Sequence, residues 1–176
     1  MCNPRWLIST FFQKYQQQML LSLSIPLLLA LLMASVGSEP EPEKSSLSYE
    51  AAVDSLLSVA YQLEGTPYRL GGKNEAGFDC SGYTRYVYGK LGMKLNASAA
   101  TQYEQGEAVH PDSLRQGDLL FFQKQDGRIF HVGLYVGEEN GQSNFLHASS
   151  SRGVVKDYLQ MPYFQQRWKG ARRIIP

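Results

Sequence analysis

A thiol that attacks a carbonyl carbon needs three things from the protein around it. It needs an environment that favours the thiolate, a base that takes its proton and returns it to the leaving group, and a polar partner that holds the base. This chain of 176 residues has two cysteines and three histidines. Cys2 lies in an amino-terminal segment that reads as a leader, which leaves Cys80 as a lone thiol without a partner for an internal disulfide. Cys80 follows a glycine-rich turn over 70–77 and precedes a stretch, Ser81 to Leu91, in which Tyr83, Val87 and Leu91 recur at helical spacing. The spacing predicts a helix opened by Cys80, capped by Asp79 and stopped by Gly92. At such a tip the unpaired N–H groups and the macrodipole favour an anion, so a lowered thiol pKa is expected.

Two histidines lie in segments that read as neighbouring strands. In Ile129-Phe130-His131-Val132-Gly133-Leu134-Tyr135-Val136, alternation puts Val132, Leu134 and Val136 on one face and His131, Gly133 and Tyr135 on the other. The first face is apolar enough to pack on a core, so His131 is expected to look out from the opposite one. The turn Glu138-Glu139-Asn140-Gly141, whose Asn-Gly pair favours a tight hairpin, leads into the strand that carries His147. A lone strand histidine is ordinarily structural. Two on paired strands, beside a single helix-tip thiol, supply a nucleophile, a base and an orienting group.

The remaining elements must position these three. Residues 49–64 carry Ala52, Val53, Leu56, Leu57, Ala60 and Leu63 along one face, which predicts an amphipathic packing helix started by Ser48 and ended by Gly65 and Pro67. Residues 96–106 read as a short helix or loop. The strand over Gly117–Phe122, the two histidine strands, a short strand at Gly153–Val155 and a terminal one at Arg172–Ile175 follow. Helices first and antiparallel strands after them predict an α+β domain. Residues 1–38 have a positive start, an apolar run and a small-residue exit, as a secretory signal does. The apolar run is about 16 residues, short of the roughly 20 of a membrane span, so a retained anchor is the second choice. Residues 39–47, rich in proline and charge, read as an extended linker, and the folded domain is expected over 48–176. The net charge of +1 and the lack of a basic stripe argue against nucleic acid as a partner. No cysteine cluster offers a metal site.

Asp79-Cys80-Ser81-Gly82, His131-Val132-Gly133-Leu134-Tyr135 and His147-Ala148-Ser149 together resemble the NlpC family of papain-like cell-wall cysteine peptidases. Thr66-Pro67-Tyr68, Gly71-Gly72, the Gly117–Phe122 strand and Gly170-Ala171-Arg172-Arg173 extend the resemblance in the same order from about residue 48 to the end. It implies a papain-like α+β fold, with amino-terminal helices on an antiparallel sheet of about five to six strands. It also implies an exported endopeptidase of the periplasm or cell envelope that cuts peptidoglycan stem peptides next to diaminopimelate, most often at the γ-D-glutamyl-diaminopimelate bond. On this resemblance Cys80 is the nucleophile, His131 the base and acid, and His147 the residue that orients His131. Tyr68, Ser81 and Asp79 line the oxyanion or substrate side. No cofactor and no metal are implied, and a monomer is expected. Where the family often carries an arginine or Pro-Arg pair, this chain has Leu95-Asn96, so substrate contacts of that loop do not carry over. Two alternatives stand beside hydrolysis: a wall-binding module without turnover, and an acyl or peptidyl transferase that uses the same thiol.

Overall fold

The computed structural model describes residues 42–176, with side chains from residue 48 onward. The expected leader and the first residues of the expected linker lie outside that range. Helix α1, Pro42–Gln62, starts six residues ahead of the expected cap at Ser48, so the linker reading does not hold for residues 42–47. Proline is well tolerated in the first helical turn, where its missing N–H has no intrahelical partner to lose. Val53, Leu56, Ala60 and Leu63 are buried, as the apolar stripe requires.

A two-stranded ribbon, β1 (Lys73–Asn74) and β2 (Gly77–Phe78), occupies the glycine-rich turn and leads into helix α2, Cys80–Lys90. A short helix α3, Ala99–Gln102, follows, begun by a Ser98 and Thr101 capping box. The chain then builds β3 (Glu107–Val109), β4 (Leu119–Gln123), β5 (Ile129–Glu139), β6 (Gln142–Ser149) and β7 (Gly153–Tyr158). Helix α4 (Pro162–Gln165) and β8 (Trp168–Arg173) complete it. The sheet of six antiparallel strands has the order β3-β8-β4-β5-β6-β7. The terminal strand is therefore interior, inserted between β3 and β4. A partly buried ion pair fastens it there: Arg173 Nε and Nη2 donate to the buried Asp118 at 2.9 and 2.8 Å.

The β5–β6 turn is the predicted two-residue hairpin. Asn140 and Gly141 have φ of +54° and +73°, the left-handed pair that Asn-Gly adopts readily. A one-residue register shift between Tyr135 and Gly137 follows the turn; beyond it Leu134 pairs with Leu146, which brings His131 and His147 to the same face of the sheet.

Both faces of the sheet are covered. Helices α1 and α2 pack on one, where Leu56, Tyr83 and Val87 meet Phe121, Val132, Leu134 and Leu146. The other face carries Leu120, Phe122, Tyr135, Phe145 and Phe164 in a second apolar cluster. The sequence reading of that face as an outlook for His131 is corrected in this respect. Phe164 from α4 stacks on His131 with centroids 6.5 Å apart, and Phe122 lies at 5.9 Å.

Candidate active site

Cys80 sits at the first position of α2 because Asp79 ends the extended backbone before it and caps the helix. Asp79 Oδ1 accepts from Gly82 N at 2.6 Å and from Ser81 Oγ at 3.0 Å, while Oδ2 accepts from Gly71 N at 3.0 Å. One carboxylate thus ties the glycine-rich turn to the helix tip. The approach is close: a Cβ on Gly82 would lie 1.9 Å from the Gly72 carbonyl oxygen. Behind the tip, fully buried Gln102 donates from Nε2 to Ser81 O at 3.1 Å and accepts from Thr84 Oγ1 at 2.9 Å. Helix α3 therefore braces α2 at the thiol.

Cys80, His131 and His147 line one cavity of about 380 Å³, together with Tyr68, Arg152, Met161, Tyr163 and Phe164. The backbone N–H groups of Val132, Ser81 and Cys80 itself face the sulfur. The expectation of a lowered thiol pKa does not hold. Burial pushes Cys80 up, and the neighbouring Asp79 adds to it, against the lowering effect of those N–H groups. The balance favours the neutral thiol, since removing a charge from water costs more than a few N–H dipoles return.

His131 Nε2 and His147 Nδ1 are 2.8 Å apart. Burial first, and His147 second, push the His131 pKa down to about 3. Both shifts, the thiol up and the imidazole down, favour the uncharged form of each group. Tyr68 lies on the cavity wall near the thiol and also packs against the core. Burial raises its pKa, with Cys80 and Asp79 contributing in the same direction, so its hydroxyl stays protonated and able to donate. Ser81 faces inward: its hydroxyl is engaged by Asp79, which leaves its backbone N–H as the group directed at the sulfur.

The sequence reading passed over two further side chains. His147 Nε2 lies 2.9 Å from Asp157 Oδ2, and Arg152 donates to Asp157 from Nη1 at 3.1 Å and from Nη2 at 2.5 Å. The His147 and Asp157 side chains are 4% and 7% exposed, whereas Arg152 is 51% exposed on the cavity wall. Period-two alternation in β7 carried the signal. With His147 opposite Val155, Asp157 falls on the histidine face. Taken alone, Lys156-Asp157 reads as a solvated strand edge.

The fold is α+β, and a helix-tip thiol and two strand imidazoles line one of its cavities. The NlpC/P60 family pattern matches residues 65–173. A murein DD-endopeptidase/LD-carboxypeptidase of Escherichia coli, MepS, is 39% identical over 150 residues, covering 80% of this chain and 77% of the relative. A γ-D-glutamyl-L-lysine dipeptidyl-peptidase of Bacillus cereus is 33% identical over 71% of this chain and 37% of its own length. Among solved structures, an NlpC/P60 family protein of Bacillus cereus superposes with a TM-score of 0.66 at 32% identity, over 70% of this chain and 40% of the other. The peptidoglycan hydrolase RipB of Mycobacterium tuberculosis gives 0.61 at 26% identity, over 99% and 91%. The chain belongs to the NlpC/P60 family and is an enzyme of the peptidase class.

Proposed function

We propose that this enzyme is an exported cysteine endopeptidase that hydrolyses peptide bonds in the stem peptides of peptidoglycan, with the γ-D-glutamyl-diaminopimelate bond or a neighbouring cross-link as the scissile one. The observation that carries this reading is the single cavity that Cys80, His131 and His147 line together, with the two imidazoles 2.8 Å apart. Relatives named as murein endopeptidase and γ-D-glutamyl peptidase support the substrate class. The cavity wall suits it as well. The half-exposed Arg152 and the hydroxyls of Ser149 and Ser151 offer donors to a peptide rich in carboxylates.

In the reaction, His131 takes the thiol proton as the sulfur bonds to the carbonyl carbon, so charge appears only when substrate is in place. N–H groups at the helix tip and at Val132 hold the developing oxyanion. Collapse breaks the C–N bond, and His131 hands its proton to the departing amine. Water then attacks the thioester, gives a proton to His131, and the new carboxyl leaves as the thiol is restored.

Digestion of purified sacculi and of soluble muropeptides with residues 39–176, read by mass spectrometry, tests the proposal. New free termini at the stem peptide are expected. Joined peptides would replace hydrolysis with transfer, and an unchanged digest with retained wall binding would mean a module without turnover.

A further inference from the structure

The hydrogen bonds running inward from His131 have a direction. Asp157 is held down to about 2: burial alone would raise its pKa, but the bonds from His147 and Arg152 outweigh that. An ionised carboxylate only accepts, so the proton between His147 and Asp157 sits on His147 Nε2. In a neutral ring the other nitrogen, Nδ1, is then a lone pair. The atom 2.8 Å from it, His131 Nε2, must supply the hydrogen. With its one proton there, neutral His131 has a bare Nδ1.

We infer that Asp157 is a positioning residue which, through His147, fixes the proton of His131 on Nε2 and so keeps Nδ1 free as the basic atom that receives the Cys80 proton. Arg152 has the supporting part of keeping that carboxylate ionised and aimed. The geometry favours such a lock because each link is short and the two inner members are little exposed, which strengthens the hydrogen bonds between them. The two imidazoles are perpendicular, with interplanar angle 90°, His131 Nε2 meets His147 Nδ1, and both rings line the cavity that Cys80 lines. When the thiol proton reaches Nδ1, the Nε2 hydrogen stays in its bond to His147. The new positive charge is then one ring removed from the Asp157 carboxylate, which favours it.

This inference rests on the thiol-imidazole reading of the cavity, and its test separates the two. Nitrogen-15 NMR of histidine-labelled protein reads ring tautomers without any substrate, and with three histidines in the chain the spectrum is simple. In the wild type, His131 and His147 should each carry hydrogen on Nε2 and none on Nδ1. Hydrogen on His131 Nδ1 in the neutral wild-type ring would overturn the inference, whatever the variants do. In Asp157→Ala, His147 loses its acceptor, hydrogen should appear on His131 Nδ1 in part of the molecules, and kcat should fall about 10- to 100-fold with KM within about twofold, the usual scale for losing a group behind the reacting shell. Unchanged tautomers or unchanged kcat in folded Asp157→Ala would also overturn it. A residue with a structural part alone would lower Tm and leave the tautomers as they were. Should the wild type show the stated tautomers but cut no wall peptide, the substrate proposal fails and the proton lock stands.

Discussion

His147 stands edge-on to His131, the ring centroids 4.9 Å apart and Nδ1 of one 2.8 Å from Nε2 of the other. One imidazole thus holds the other, and both line the cavity that Cys80 shares.

From this arrangement Cys80→Ser should lose turnover by about 10⁴-fold or more while keeping its melting temperature within a few degrees, since the nucleophile goes and little volume changes. Steady-state assay on muropeptides beside thermal denaturation measures both. Retained turnover would remove Cys80 from the mechanism.

His131→Ala should cost about 10²- to 10⁴-fold in kcat, the span of general acid–base catalysis, and His147→Ala distinctly less, because holding a base matters less than being one. Equal, near-wild-type kcat in both variants would dissolve the proposed constellation.

Burial raises the Cys80 thiol above its ordinary 9.0. Alkylation of the free enzyme by iodoacetamide should therefore be slow at neutral pH and climb with a midpoint above 9.0. A rate already at its plateau by pH 7 would mean a thiolate paired with imidazolium instead of two neutral groups.

Acid should weaken the fold from just below pH 6.5 downward. His131 is pushed from 6.5 to about 3 by burial and His147, so between those values the unfolded chain binds a proton that the folded one refuses, and stability declines as pH falls. Asp157, held at about 2 against an ordinary 3.8, contributes stability that is whole above 3.8 and is lost as pH falls through 2. Urea midpoints at pH 7, 5.5 and 4.5 should fall more steeply for wild type than for His131→Ala. Parallel slopes would exclude His131 as the source.

Gly82→Ala should be destabilising by about 1–3 kcal/mol, because its Cβ would meet the Gly72 carbonyl oxygen at 1.9 Å and either the glycine-rich turn or the helix tip has to yield. Denaturant unfolding gives the loss, and activity should drop with it as the thiol moves. A variant of full stability and activity would show that this backbone contact is not what sets Cys80 in place.

Much of this apparatus is written in local pattern. A glycine-rich turn followed by Asp79, Cys80 and helical spacing determines a capped helix with sulfur at its tip, and Asn140-Gly141 determines a tight hairpin. Those outcomes need only neighbours in the chain. Tertiary structure decided the rest. The thiol's pKa rises because the fold partly buries it, and no local pattern measures that burial against the helix-tip dipoles. Asp157 joins the histidines only through the register of β6 on β7, and the His131 face is roofed by Phe164, from a short helix that no periodicity announced. Charge cost and strand register depend on residues far apart in the chain arriving together, and the sequence order alone does not bring them there.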